Sequence, residues 1–92
     1  MEFEWDENKA KLNERLHGVT FEEAELAFQD ENAVEIFDEL NSDEEVRFQI
    51  IALSPVRLLF VAFTMRGEQT IRIISARKAD AKQTKIYNEY KR

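Results

Sequence analysis

The side chains in this sequence best suited to gripping a phosphate and moving its protons are a set of arginines, two lysines and one histidine. Arg47, Arg66, Arg72 and Arg77 fall in the second half, with Lys78 directly after Arg77; Lys9 and His17 stand near the N-terminus. The planar guanidinium fork presents paired N–H donors that match the oxygens of a phosphate. His17 is the one side chain that titrates near neutrality in an ordinary environment, so it could serve as a general acid or base worth about 10²–10⁴ in rate. At a helix end it could equally be a plain C-terminal cation.

Other chemistries lack their residues. No cysteine and a single histidine leave no thiolate or multi-histidine metal site, so neither a metal nor a cofactor is expected. Gly18 and Gly67 are the only glycines, too few for a phosphate-cradling loop. Ser42, Ser54 and Ser75 lie in no nucleophile elbow. Asp43-Glu44-Glu45 lacks the order of a calcium loop and reads as a solvated acidic segment.

The formal charge of −6 conceals a division within the chain. Residues 1–46 hold 16 Asp and Glu against 3 Lys and Arg, whereas residues 47–92 hold 3 against 10. The basic half could meet a nucleic acid, or the two halves could pair within one fold.

Ninety-two residues, 43% hydrophobic and with seven Phe, two Tyr and one Trp, suit one domain with one core. The N-terminal MEFEWDENK is the opposite of a basic-then-apolar leader, and Val56–Met65 is about half a membrane span. A cytoplasmic location with no membrane association is therefore expected.

The elements that must carry these side chains follow from pattern. Glu2–Trp5 alternates as a short strand. Asp6 caps a helix that carries Leu12 and Leu16 and stops at Gly18. Thr20 and Glu23 form a capping box ahead of a second helix with Phe21, Ala24, Ala27 and Phe28 on one stripe. Ala33–Phe37 leans to strand, and Asp38–Glu45 is an acidic loop. Val46–Leu53, Arg57–Arg66 and Gln69–Arg77 are three strands with short links, hence an antiparallel meander. A last helix from Lys78 turns Ala79, Ile86, Tyr87 and Tyr90 inward. The order β-α-α-β-β-β-β-α predicts an α+β domain, its helices packed on a twisted antiparallel sheet. Parity and an up-and-down course bring Arg47, Arg66 and Arg72 towards one end of the sheet and leave Arg77 apart.

The stretch FEWDENKAKLNERLHGVTFEEAELAFQD (Phe3–Asp30), the pair Glu45-x-Arg47, RGEQTIRIISARKA (Arg66–Ala79) and a late tyrosine together resemble the BrnT family, toxins of type II toxin–antitoxin pairs. The similarity covers nearly the whole chain, 1–92. It implies a RelE-like fold and an endoribonuclease that cleaves RNA without metal and so inhibits translation. It also implies a BrnA-like antitoxin that neutralises the toxin in a hetero-oligomer and alone touches DNA. The family motifs fall here on Lys9, His17, Arg47, Arg66, Arg72 and Arg77. Arg47, Arg66, Arg72 and His17 are the expected catalytic groups, a carboxylate such as Glu22 being the alternative to His17 for proton transfer, with Arg77, Lys78 and Lys9 binding substrate. The competing expectation is a toxin homologue with weakened catalysis that holds an antitoxin and tunes its operator binding. A plain scaffold, its charges paired internally, comes third.

Overall fold

The computed structural model describes residues 1–91, apart from the side chain of Asn41. Five strands and three helices follow one another as β1 (Glu2–Glu4), α1 (Glu7–His17), α2 (Phe21–Ala27), β2 (Val34–Phe37), β3 (Arg47–Leu53), β4 (Leu58–Arg66), β5 (Thr70–Lys78) and α3 (Ala81–Tyr90). This is the expected α+β order. The sheet runs β1-β5-β4-β3-β2. β2 to β5 form the antiparallel meander, while β1 joins β5 in parallel, an addition that strand order alone did not reveal.

Local chemistry sets the helix ends. The Asp6 carboxylate accepts the Asn8 and Lys9 amides, and Thr20 Oγ1 accepts the Glu23 amide. Asp80 and Gln83 form a reciprocal capping box at the start of α3. Gly18 ends α1 at φ +67°, a left-handed conformation in which a side chain would be strained.

One face of the sheet carries α1 and α2. Ile50, Ala52, Leu59, Val61, Phe63, Ile71, Ile73 and Ala76 project from it against Val19, Phe21, Ala24 and Ala27. A line of ring contacts crosses this layer from Phe3 through Phe28, Phe63 and Phe48 to Phe37, with centroids 5.1–6.0 Å apart. α3 returns to β3 and covers only part of the second face, where Ile51 is wholly buried. Tyr87 is the inward residue of α3, whereas Tyr90, expected inward, is 71% exposed.

Two polar braces lock the layers. Tyr87 donates its hydroxyl to Asp30, 2.6 Å away, and the same carboxylate oxygen accepts the Leu53 amide. Burial and the Asp30 carboxylate push the Tyr87 phenol up to about 12. The second brace is Arg57. Its Nε and Nη2 donate to both oxygens of Glu23, at 3.0 and 2.8 Å, and Nη2 also reaches the Gly18 carbonyl at 2.8 Å. The hydrogen bonds from Arg57 hold the Glu23 carboxyl below the usual carboxylate range. A depressed carboxylate stabilises the fold above its unfolded pKa, and that contribution disappears as pH falls through the folded value. Glu23→Gln is therefore expected to lower stability by about 1–2 kcal/mol at pH 7. That is less than a fully buried pair, because Arg57 is 34% exposed. Urea melts at pH 7 and at pH 3 check this: the gap between wild type and variant should narrow at the lower pH.

α1 departs most from its pattern. Leu12 and Leu16 are exposed, and the buried residue is Asn13. Asn13 Nδ2 donates to the carbonyls of Val19 and Ala76, at 2.9 and 2.7 Å, and its Oδ1 accepts the Ala76 amide at 3.0 Å. The side-chain amide thus pairs with β5 as another strand's backbone would, beyond the point where β1 ends.

Candidate functional site

The second face of the sheet is open where α3 does not reach. The register aligns Arg47 with Thr64 and Thr64 with Arg72, and Arg72 with Glu4 on β1. Directly opposed residues share a face, so Arg47, Thr64 and Arg72 form a row on it; Arg66, two residues past Thr64, joins the same face. The helix-face parity of Ile71 and Ile73 turns Arg72 away from the core. A bulge leaves Ile74 unmatched, since Phe63 opposes Ile73 while Ala62 opposes Ser75. That extra residue restores Ala76 to the core.

Three of the expected residues thus gather at one end of one face. Arg47 Nη2 lies 3.6 Å from Glu45 Oε1, and Arg66 Nη2 lies 3.8 Å from Glu45 Oε2. One carboxylate sits between two guanidiniums. These separations are too long for hydrogen bonds, and Arg47 Nε is buried without a partner. Thr64 donates its hydroxyl to the Val46 carbonyl, fixing the backbone just ahead of Arg47. Leu40, Asp43, Glu44, Glu45 and Arg47 line an open depression of about 540 Å³ at this end. Arg72 donates to Glu4 at 2.7 Å.

The remaining expected residues lie elsewhere. Arg77 opposes Phe60 near the far end of β5, its guanidinium 5.2 Å from that ring's centroid, and Lys78 follows it. Lys9 and His17 line a groove between α1 and β5 with Leu12, Leu16, Ile74 and Ser75. Glu22 is exposed in the first turn of α2; its neighbour Glu23 carries the brace to Arg57. Arg57 had drawn no notice in the sequence, because an arginine opening a strand looks the same whether it binds a ligand or the protein. The ion pairs at Glu4, Glu23 and Glu45 also bear out part of the internal-pairing expectation: the acidic half does meet the basic half.

A family model for BrnT, the ribonuclease toxin of type II toxin–antitoxin systems, matches residues 5–83. The chain belongs to the BrnT family. The crystal structure of the Brucella abortus ribonuclease toxin BrnT is similar to it, with a TM-score of 0.66 and 25% identity over 87% of this chain and 97% of that one. No sequence among curated proteins matches. The BrnT model runs from Trp5 through Gln83, so β5 and the open face fall within the match while most of α3 lies beyond it.

Proposed function

We propose that this BrnT-family protein is a metal-independent endoribonuclease toxin that grips a phosphodiester of RNA between Arg47, Arg66 and Arg72. The observation that carries the reading is the contrast among arginines. Arg57 spends its side-chain donors on Glu23 and Gly18, whereas the guanidiniums of Arg47 and Arg66 make no hydrogen bond to the described residues and converge on one carboxylate. Two guanidiniums meeting one anion on an open face are arranged for a phosphate.

The reaction consistent with such a site uses the RNA's own 2′-hydroxyl. Its oxygen forms a bond to the adjacent phosphorus while the bond to the 5′-oxygen breaks, giving a 2′,3′-cyclic phosphate and a 5′-hydroxyl. A base takes the 2′ proton and an acid returns one to the leaving oxygen. The guanidiniums neutralise the charge that grows on the equatorial oxygens, the task a metal ion performs elsewhere. In the free protein Glu45 occupies the anion's place. A bound phosphodiester displaces it and leaves the carboxylate beside the 2′-hydroxyl. Lys9 and His17, in their groove along β5 apart from the three arginines, extend the track for the strand. Arg77 and Lys78 sit too far along β5 for the reacting phosphate and hold a more distant part of the chain.

The carboxylates shadowing each arginine favour a second reading, a toxin of attenuated activity that chiefly holds its antitoxin. One experiment separates the two. Purified protein is incubated with RNA in EDTA, and the gene is induced alone and together with the antitoxin encoded beside it. Cleavage leaving cyclic phosphate ends, with growth arrest relieved by the antitoxin, is the expected result. Cleavage that EDTA abolishes overturns the metal-independent mechanism. A stable complex with neither cleavage nor arrest establishes the second reading instead.

A further inference from the structure

We infer that the free edge of β2 is a docking strand for a basic segment of the antitoxin, which adds to the sheet as a sixth strand. This rests on the type II toxin reading for the existence of that partner, but its location and chemistry come from the surface itself.

The two sheet edges are treated differently. The other edge strand, β1, spans only Glu2–Glu4, and beyond its end the Asn13 amide pairs with Ala76 of β5 in place of a further strand. β2 pairs with β3 on one side only. Alternate N–H and C=O groups of Val34–Phe37 therefore point outward, a ready template for another strand. Soluble proteins usually blunt such an edge with Lys or Pro; β2 has neither, only Glu35.

Apolar surface lies beside it. Phe37 is the last ring of the aromatic line through the core and is 54% exposed. Leu40 and Val46, at the same end of the β2–β3 pair, are also exposed. The Asp38 amide donates to the Arg47 carbonyl and holds the two segments together there. An incoming side chain set against Phe37 would extend the row of rings.

Charge selects the occupant. From Leu16 to Val46 the sequence has no Lys or Arg. Glu31, Glu35, Glu39, Asp43 and Glu44 are all exposed around this edge. A second copy offering the same edge would bring like charges together. A segment that alternates Lys or Arg with apolar residues satisfies the free backbone, the apolar anchor and the acidic rim at once.

The test uses the full-length protein and the antitoxin from the adjacent reading frame. Glu31→Lys/Glu35→Lys should weaken the complex about 10- to 30-fold at low salt and flatten its dependence on ionic strength. Phe37→Ser should weaken it about 30-fold, as loss of an interface anchor does. Both variants should cleave RNA at the wild-type rate, with melting temperature checking the fold. Amide exchange at Val34–Phe37 should slow in the wild-type complex. Unchanged affinity in both variants, or unchanged exchange at β2, overturns the docking strand while leaving the toxin–antitoxin reading intact. Failure of the wild-type protein to bind the antitoxin at all overturns both.

Discussion

Arg47→Ala and Arg66→Ala are each expected to lower RNA cleavage by about 10²–10³, with little loss of stability. The size follows from what these side chains touch. Neither donates a hydrogen bond within the described residues, and their shared partner Glu45 is a half-exposed carboxylate at 3.6 and 3.8 Å. Surface pairs of that length contribute about 0–1 kcal/mol, so truncation leaves the fold nearly as stable as before. In the proposed reaction the lost interaction is the one to the phosphorane as its charge develops. Lysine should not rescue Arg47, because a point charge on a flexible stem cannot reproduce two parallel donors. Arg57→Ala is the control with the opposite outcome: it should destabilise the domain yet leave the rate per folded molecule unchanged. Single-turnover cleavage in EDTA, paired with urea melts, separates the two arginine classes. Loss of activity in Arg57→Ala without loss of folded protein, with Arg47→Ala unaffected, would refute the assignment.

Asn13→Ala is expected to destabilise the domain by about 3 kcal/mol, as much as truncating a large core side chain. Asn13 is 6% exposed and satisfies three backbone groups, the Val19 carbonyl and both groups of Ala76. Removing it forfeits three hydrogen bonds at about 1 kcal/mol each and strands buried donors and acceptors that water reaches poorly. A domain of 92 residues has a net stability of about 5–14 kcal/mol, so the loss is a large fraction of the total. Asn13→Asp should be comparably harmful, since a carboxylate meets two carbonyls where the amide donated. Chemical denaturation measures the difference. A value below about 1 kcal/mol would show that β5 does not depend on this side-chain pairing.

The sequence by itself determined whatever depends on near neighbours in the chain. Asp6 and Thr20 cap the helices they precede because a cap bonds amides two or three residues on, whereas the last helix, expected from Lys78, starts at Ala81 behind Asp80 because β5 runs on through Lys78. Short links made the last three strands antiparallel, and alternation then carried Arg47, Arg66 and Arg72 to one end of one face. The segregation of charge was likewise plain from counting, and so was the motif string that led to the BrnT family.

Only the tertiary structure decided contacts between residues far apart in sequence. β1 pairs in parallel with β5 across 68 residues, from Glu4 to Arg72, and no local signal selects that partner. Asn13, a polar residue among helix formers, is buried because it meets Ala76 across the end of a strand that β1 leaves uncovered. Most consequential for function, Arg57 and Arg47 both stand at the N-terminal end of apolar strands and look alike in the sequence. One found Glu23 and Gly18 within reach of its donors; the other was left facing an open depression with a buried Nε unpartnered. Whether an arginine is tied into the fold or keeps its side-chain donors free depends on which acceptors the fold brings within about 3 Å, and spacing along the chain does not contain that distance.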